Sequence, residues 1–268
     1  MNVTNRGTAL ITGASSGIGA AYAQRLAKQG YDLILVARSG AKLREQAVEI
    51  TNATGRSVET VQADLTKSAD LHKIENLLRT DASITVLVNN AGIGATRPLL
   101  DSDVDEMERL IALNVTAPMR LAHAVVPGFV ARDGGTLINI ASIVAIAPEL
   151  LNGVYGGSKA FVLALSQSLL HELADKGVRV QVVLPGATAT KFWDAAGNPV
   201  ENLPSEIVMS TEDMVDASLA GLAAGEFVTI PSLPEQVDWD AYESARQKLI
   251  PNLSRSAPAE RYGVARGA

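Results

Sequence analysis

The chain contains no cysteine, which excludes disulfides, thiolate zinc sites and a cysteine nucleophile, and which fits the cytosol. Positive charge is scarce. The net charge is −6 and no basic run could track a phosphate backbone, which argues against a nucleic-acid partner. Aromatic residues are few while apolar residues reach 47%, a balance that fits a globular α/β protein rather than a disordered one. Histidine is rare: His72, His123 and His171 are scattered over helical segments without ligand spacing, so no metal site is expected. Long hydrophobic runs are also missing. The most apolar window, Thr136–Pro148, is too short to span a bilayer and contains Asn139 and Ser142. No signal-peptide pattern precedes the first strand-like segment, and Asn2-Val3-Thr4 reads as an accidental match to a glycosylation acceptor. The expectation is a cytoplasmic protein with no membrane partner.

What is present is strand–helix alternation. At 268 residues the chain lies near the upper size for one hydrophobic core. Strand candidates fall at 8–12, 32–38, 57–64, 85–92, 136–142, 178–186 and 226–230. Most are continuously apolar, as strands covered on both faces should be. Amphipathic stretches such as Gly17–Gln29, Ala41–Asn52 and Ser68–Thr80 lie between them. Gly30 and Gly177 stand where left-handed helix C-caps belong. This pattern predicts an α/β fold, a doubly wound parallel sheet in a single domain spanning 1–268. Residues 187–211 are rich in turn formers without a period; they read as a substrate lid or as an inert surface loop. In the C-terminal extension, 232–268, Val237, Ala241, Tyr242, Ala245 and Leu249 have helical spacing and the end has the composition of a frayed tail.

The segment "LITGASSGIGAAYAQRLAKQG" places a strand, a glycine turn and a helix in succession. Gly13, Gly17 and Gly19 allow close approach of a pyrophosphate, and the N-terminus of the following helix attracts the anion. Ser15 and Ser16 add hydroxyl donors. An ordinary strand-to-helix turn would have similar glycines, and the strand–helix context gives the motif its weight. An NAD site of this type usually ends the second strand with an acid facing the ribose. Here Ala37 takes that position, followed by Arg38 and Ser39. A guanidinium suits a 2′-phosphate, which favours NADP(H) over NAD(H); a solvated surface arginine is the plainer reading.

Tyr155 and Lys159 in "YGGSK" share one helix face. A neighbouring ammonium lowers the pKa of a phenol toward the working range of an acid–base group, although such pairs are mostly solvated or packed. Ser142 follows a strand at the carboxyl end of the sheet, where ligands bind in open α/β folds. Two glycines between Tyr155 and Lys159 give up about 1 kcal/mol each of helix propensity but bare the backbone to substrate or to another helix. Ser158 reads as a local backbone cap. Pro118 has no N–H for the carbonyl of Asn114, so a kink there either frees that carbonyl for water or a lysine, or serves packing alone.

Together, "TGASSGIG" (12–19), "NNAG" (89–92), Asn114, Ser142, "YGGSK" (155–159) and "PGATAT" (185–190) resemble the short-chain dehydrogenase/reductase family in its shorter form. The resemblance covers the chain from residue 8 to about 190, in family order. It implies a seven-stranded Rossmann-type sheet and reversible hydride transfer between a nicotinamide and a carbonyl or alcohol carbon. It also implies Tyr155 as general acid/base, with Ser142 orienting the substrate oxygen. Lys159 would hold the nicotinamide ribose, and Asn114 would anchor a proton-relaying water. By the same resemblance the cofactor is lined by Gly13, Ser15, Ser16, Gly17, Ile18 and Gly19, by Asp64 and Leu65, by Asn90, Ala91 and Gly92, and by Pro185, Gly186, Thr188 and Thr190. Ile93, Ile143, Val144, Leu150, Leu151, Phe192 and Trp193 are expected to border the pocket. They suggest a hydrophobic ketone or secondary alcohol, although packing would demand several of the same residues. The expected assembly is a homodimer or homotetramer, and NADPH supply favours reduction. Two alternatives stay open, a silent NADP(H)-binding sensor or scaffold and an enoyl reductase.

Overall fold

A computed structural model describes residues 6–264; the Asn2-Val3-Thr4 triplet and the last four positions lie outside the described residues. Seven strands are present: β1 (Thr8–Thr12), β2 (Asp32–Ala37), β3 (Val58–Gln62), β4 (Ile84–Asn89), β5 (Gly135–Ile140), β6 (Val178–Val183) and β7 (Val228–Thr229). They form one sheet in the order β3-β2-β1-β4-β5-β6-β7, and every pairing is parallel. The order runs outward from β1 to β3 and then returns to place β4 beside β1. That reversal opens a crevice at the carboxyl ends of β1 and β4, where doubly wound folds of the Rossmann type bind ligands.

The central strands are mainly apolar because they feed two cores. Ala9 and Ile11 pack with Tyr22 and Leu26 of α1 (Gly17–Lys28), Leu43 of α2 (Gly40–Thr54) and Met214 of α8 (Thr211–Ala224). Leu10 and Leu87 face the opposite way, toward Ile74 of α3 (Ser68–Thr80) and Leu121 and Phe129 of α5 (Ala117–Ala131). Gly30 and Gly177 have φ of 102° and 64°, the left-handed conformation expected of the residues that stop helices before β2 and β6.

Most strands end before the apolar sequence pattern does. Pairing in β4 stops at Asn89 rather than residue 92, in β5 at Ile140 rather than 142, and in β6 at Val183 rather than 186. The residues released from the ladder at these carboxyl ends are those that line the crevice. The long pattern Val104–Val130 is one helical run with a defect: α4 (Val104–Ile111), a π-helical turn at Ala112–Thr116, and α5. This run, and not Thr136–Pro148, is the described stretch long and apolar enough to cross a bilayer. Its residues Leu121, Val125 and Phe129 are buried in the core, which accounts for that composition.

The loop at 187–211 is more ordered than its composition suggests. Its base is clamped by paired bonds, Ala189 N–H to the Met209 carbonyl and Met209 N–H to the Ala187 carbonyl, both 2.9 Å. It carries the short helix α7 (Phe192–Ala196). A boundary between Pro231 and Ser232 separates this unit from a second one. The second unit holds α9 (Gln236–Leu249), as the apolar spacing predicts. Yet Val237, Tyr242 and Leu249 are exposed, and Trp239, outside that spacing, is the buried residue. Its ring lies 5.2 Å from that of Tyr242. Within the predicted tail a 3₁₀ turn forms at Glu260–Tyr262.

Phe129 is fully buried, and its ring lies directly against Gly135 at the start of β5. Truncation to alanine should leave a void costing about 3–5 kcal/mol, read from urea unfolding. Leu100→Ala, at a side chain 96% exposed, should stay within about 0.5 kcal/mol.

Candidate active site

The glycine loop sits at the carboxyl end of β1, and its geometry is set from the β4 side. Thr12 Oγ accepts from the backbone N–H groups of Asn90 and Ala91, each at 3.0 Å. Asn90 Nδ2 donates back to the carbonyls of Thr12 (2.9 Å) and Gly13 (3.3 Å). A side chain at Gly13 or Gly19 would strike that Asn90 amide. These two glycines therefore make room for the neighbouring loop, whereas the sequence suggests room for an anion. Gly17 has φ of 55°, and a side chain there would press on the Thr190 methyl. At the N-terminus of α1, Ser16 is extended and makes no side-chain cap, so the first N–H groups of that helix are free of a capping oxygen. No acidic residue lies in its first turn.

Beside this loop, β2 ends at Ala37 and the Arg38 side chain is exposed. Ser39 is committed to capping α2 through the Lys42 N–H. Across from Arg38 lies Asp64. Burial raises the pKa of its carboxyl, but hydrogen bonds from Thr66 and the charges of Arg38 and Lys67 outweigh that and hold it below the usual carboxylate range. The Leu65 side chain is in the core.

Tyr155, Ser158 and Lys159 lie on the buried face of α6 (Gly153–Glu172). Ser142 caps a 3₁₀ turn just after β5, and its hydroxyl donates toward the Pro185 carbonyl at 3.4 Å. It also acts on the Tyr155 phenol, lowering its pKa against the larger raising by burial. Lys159 Nζ donates to the Ile140 carbonyl at 3.0 Å and stands 5.9 Å from the Tyr155 ring centre. Asn114 occupies the π turn, a common site of functional distortion. Its Oδ1 accepts from Ile93 N–H at 3.0 Å, and its Nδ2 donates to the Ile93 carbonyl at 2.8 Å and to Ser158 Oγ at 3.1 Å. Ser158 Oγ itself donates to the Tyr155 carbonyl, the local cap expected of it. Any side chain at Gly92 would crowd Asn114 Oδ1 and come into contact with Lys159 Nζ.

The two glycines of "YGGSK" have different surroundings. Gly156 lets Pro148 of the preceding turn approach, while Gly157 faces open space; nothing in the structure explains the second. Of the expected pocket residues, Ile93, Ile143, Val144, Leu151 and Phe192 do gather around Tyr155. Phe192 and Tyr155 have ring centres 5.7 Å apart. Leu150 is exposed on its turn and stands outside this cluster, a correction to its expected place. Trp193 has its indole N–H on the Thr188 carbonyl at 3.0 Å and meets the Tyr155 cluster through Phe192, edge-on with ring centres 5.7 Å apart. Sequence reasoning missed Leu110, Thr12, Asn152 and Gly94. Leu110 joins the Tyr155 cluster, and Gly94 is the hollow against which the Phe192 ring packs. A lone polar residue closing an apolar strand was the available signal for Thr12.

The sequence pattern described as short chain dehydrogenase matches residues 7–200. The chain belongs to the short-chain dehydrogenase family. Among solved structures, a short-chain dehydrogenase from Sphingobium yanoikuyae in complex with NADPH is 48% identical, with TM-score 0.93 over 96% of this chain and 99% of that one. A bulky-bulky ketone specific alcohol dehydrogenase from Comamonas testosteroni is 44% identical, with TM-score 0.89 over 97% and 99%. Human 17-beta-hydroxysteroid dehydrogenase type 3 is 39% identical over 90% of this chain and 79% of its own length. The match to very-long-chain 3-oxoacyl-CoA reductase of Anas platyrhynchos, 36% identical over 69% of this chain, spans 60% of that relative's length. The dehydrogenase is thus an oxidoreductase acting on CH–OH or C=O groups.

Its residues fit a nicotinamide dinucleotide. The N-terminus of α1 lacks a cap, and among the described residues the Lys159 ammonium, with three hydrogens, has one acceptor. Burial pushes Lys159 down to about 8. Burial also raises the Tyr155 phenol, against a smaller lowering by Ser142. The sequence-based expectation was a phenol lowered by its lysine; in the cofactor-free protein desolvation dominates instead.

This has a pH consequence. Between about 8 and the ordinary lysine value of 10.5, the unfolded chain holds the Lys159 proton and the folded chain does not. Stability of the cofactor-free dehydrogenase should therefore rise with pH across that window, until the tyrosines begin to ionise near 10. Lys159→Met should flatten this rise and add on the order of 3 kcal/mol at neutral pH. Urea midpoints of both proteins between neutrality and the tyrosine range check it; parallel curves would show that Lys159 titrates normally.

Proposed function

We propose that this dehydrogenase reduces an apolar ketone with NADPH, with Tyr155 delivering the proton. The observation that carries the reading is the meeting of the Ser142 hydroxyl, the Tyr155 phenol and the Lys159 ammonium in one buried cluster. When bound, the nicotinamide supplies the hydride to the carbonyl carbon. Ser142 holds the carbonyl oxygen beside the phenol. Tyr155, kept neutral by burial, gives its hydrogen to that oxygen, and Lys159 steadies the phenolate left behind. Asn114, its side chain fixed to Ile93 and Ser158, presents a carbonyl that Pro118 cannot satisfy to a water serving Lys159.

Cofactor choice rests on Arg38. Its exposed guanidinium at the end of β2, with Ala37 where an acid would bind a free ribose, suits a 2′-phosphate. The NADPH of the Sphingobium structure agrees. The glycine loop 13–19, Asp64, Asn90 to Gly92 and the stretch from Pro185 to Thr190 would hold the remainder. An apolar ketone is supported by the wall of Ile93, Leu110, Ile143, Val144, Leu151 and Phe192 around Tyr155, and by the bulky ketones and hydroxysteroids named for relatives.

The deciding assay follows NADPH oxidation with valerophenone, a bulky ketone, against acetone, repeated with NADH. Valerophenone with NADPH should be preferred; turnover of neither ketone would end the proposal. Tyr155→Phe should bind NADPH normally and lose at least about a hundredfold in turnover, and full activity in that variant would remove the phenol from the chemistry. For Arg38→Asp, the ratio of NADPH to NADH affinity should swing toward NADH, while an unchanged ratio would clear Arg38 of reading the phosphate.

A further inference from the structure

Asn152, three residues before Tyr155, is only 3% exposed and bonds through both ends of its amide. Its Oδ1 caps α6, accepting from the N–H groups of Val154 (2.9 Å) and Tyr155 (3.3 Å). Its Nδ2 points the other way. It donates to the Arg97 carbonyl at 2.6 Å and to Ser102 Oγ at 3.1 Å, and Ser102 Oγ donates onward to the Pro98 carbonyl at 2.9 Å. A helix cap needs only the acceptor, and serine, threonine or aspartate would supply it as well. The donor half of the amide is what only asparagine brings at this reach.

The segment so tethered leaves the site directly. Ile93 and Ala95 pack in the Tyr155 cluster, and Gly94 receives the Phe192 ring. Thr96 Oγ donates to the Ala196 carbonyl of α7 at 2.7 Å. Beyond them Leu99 and Leu100 project into solvent. We propose that Asn152 is a positioning residue: it locks the 93–102 segment to the first turn of the helix bearing Tyr155, so that the apolar wall guiding the substrate and the proton-donating phenol keep one fixed spacing. This rests on the ketone-reductase reading.

The test separates the two halves of the amide in the full chain. Asn152→Asp keeps the capping oxygen and loses the donor. Asn152→Ser keeps a cap and cannot reach Arg97, which covers the case in which the carboxylate misfolds. With saturating NADPH, both should raise KM for valerophenone about tenfold and change kcat by less than about threefold, because approach and not the proton donor is disturbed. NADPH affinity and thermal midpoint should stay near wild type. Hydrogen–deuterium exchange should quicken at 97–102 and not at 154–156. KM and exchange within about twofold of wild type in both variants would overturn the proposal. So would a loss of NADPH affinity and thermal stability in step with activity, the mark of a purely structural residue. If the wild-type protein reduces neither ketone, the reductase reading fails by itself, and exchange at 97–102 alone decides whether the tie exists.

Discussion

An ammonium shut away from water, with a backbone carbonyl as its partner, sets the terms for this molecule. Lysine is almost never fully buried unless paired, and among the described residues Lys159 reaches only the Ile140 oxygen. The face of α6 that meets the sheet is correspondingly unlike an ordinary core helix. Where leucines would serve packing, it carries Tyr155, Ser158, Lys159 and Ser166. Several hydroxyls and amides there are tied down, Ser166 to Asn139, Asn139 to Asn89 and Ser158 to Asn114, while among the described residues the buried Asn89 Oδ1 has no partner. Such a network is costly when half satisfied and rigidifying when complete. It ties α6 to β5 beside the apolar packing of Val162 and Leu163 on the same helix.

The second constraint is the seam between β1 and β4. Thr12 and Asn90 cross-link the two strand ends with four hydrogen bonds, and glycine at 13 and 19 is what permits that closeness. The uncapped start of α1 then falls beside the loop that leads, through Gly92 and Ile93, to Asn114 and the lysine. An anion at the helix terminus and a ring near Tyr155 would be held by one continuous piece of chain. The π turn contributes to the same continuity: it sets the Asn114 amide against both main-chain groups of Ile93.

The fold was legible because its signals are local and repeated. Continuous apolar strands, glycine stops and amphipathic helices recur with a period the sheet imposes, and β1 and α3 fall where the pattern puts them. The site was legible where residue type and position coincide, as for Ser142, Tyr155 and Lys159. It was less so where a role depends on what lies opposite in space. Leu150 and Leu151 are neighbours of equal hydrophobicity, and only the turn at 148–150 decides that the second packs near Tyr155. Asn152 looks like any polar loop residue until Arg97, 55 positions away, is seen to accept from it. The spacing in α9 predicted the helix but misassigned its buried face, since the exposed Val237 and Tyr242 and the buried Trp239 do not follow the stripe.

The protonation states in this closed arrangement also bear on direction. Burial works oppositely on the two partners, raising the phenol of Tyr155 and lowering the ammonium of Lys159 to about 8. Neutral pH lies below both values, so each group retains its proton. On the proposed reading of Tyr155 as proton donor, this is the state from which carbonyl reduction would start, a neutral phenol with its hydrogen and a cation near the phenolate that would result. Alcohol oxidation must begin from the phenolate, which the desolvated resting site disfavours. Phe192, its ring centre 5.7 Å from that of Tyr155, helps to keep water away and so sustains the bias. On that reading, the packing that shields the tyrosine also keeps the proton on its phenol.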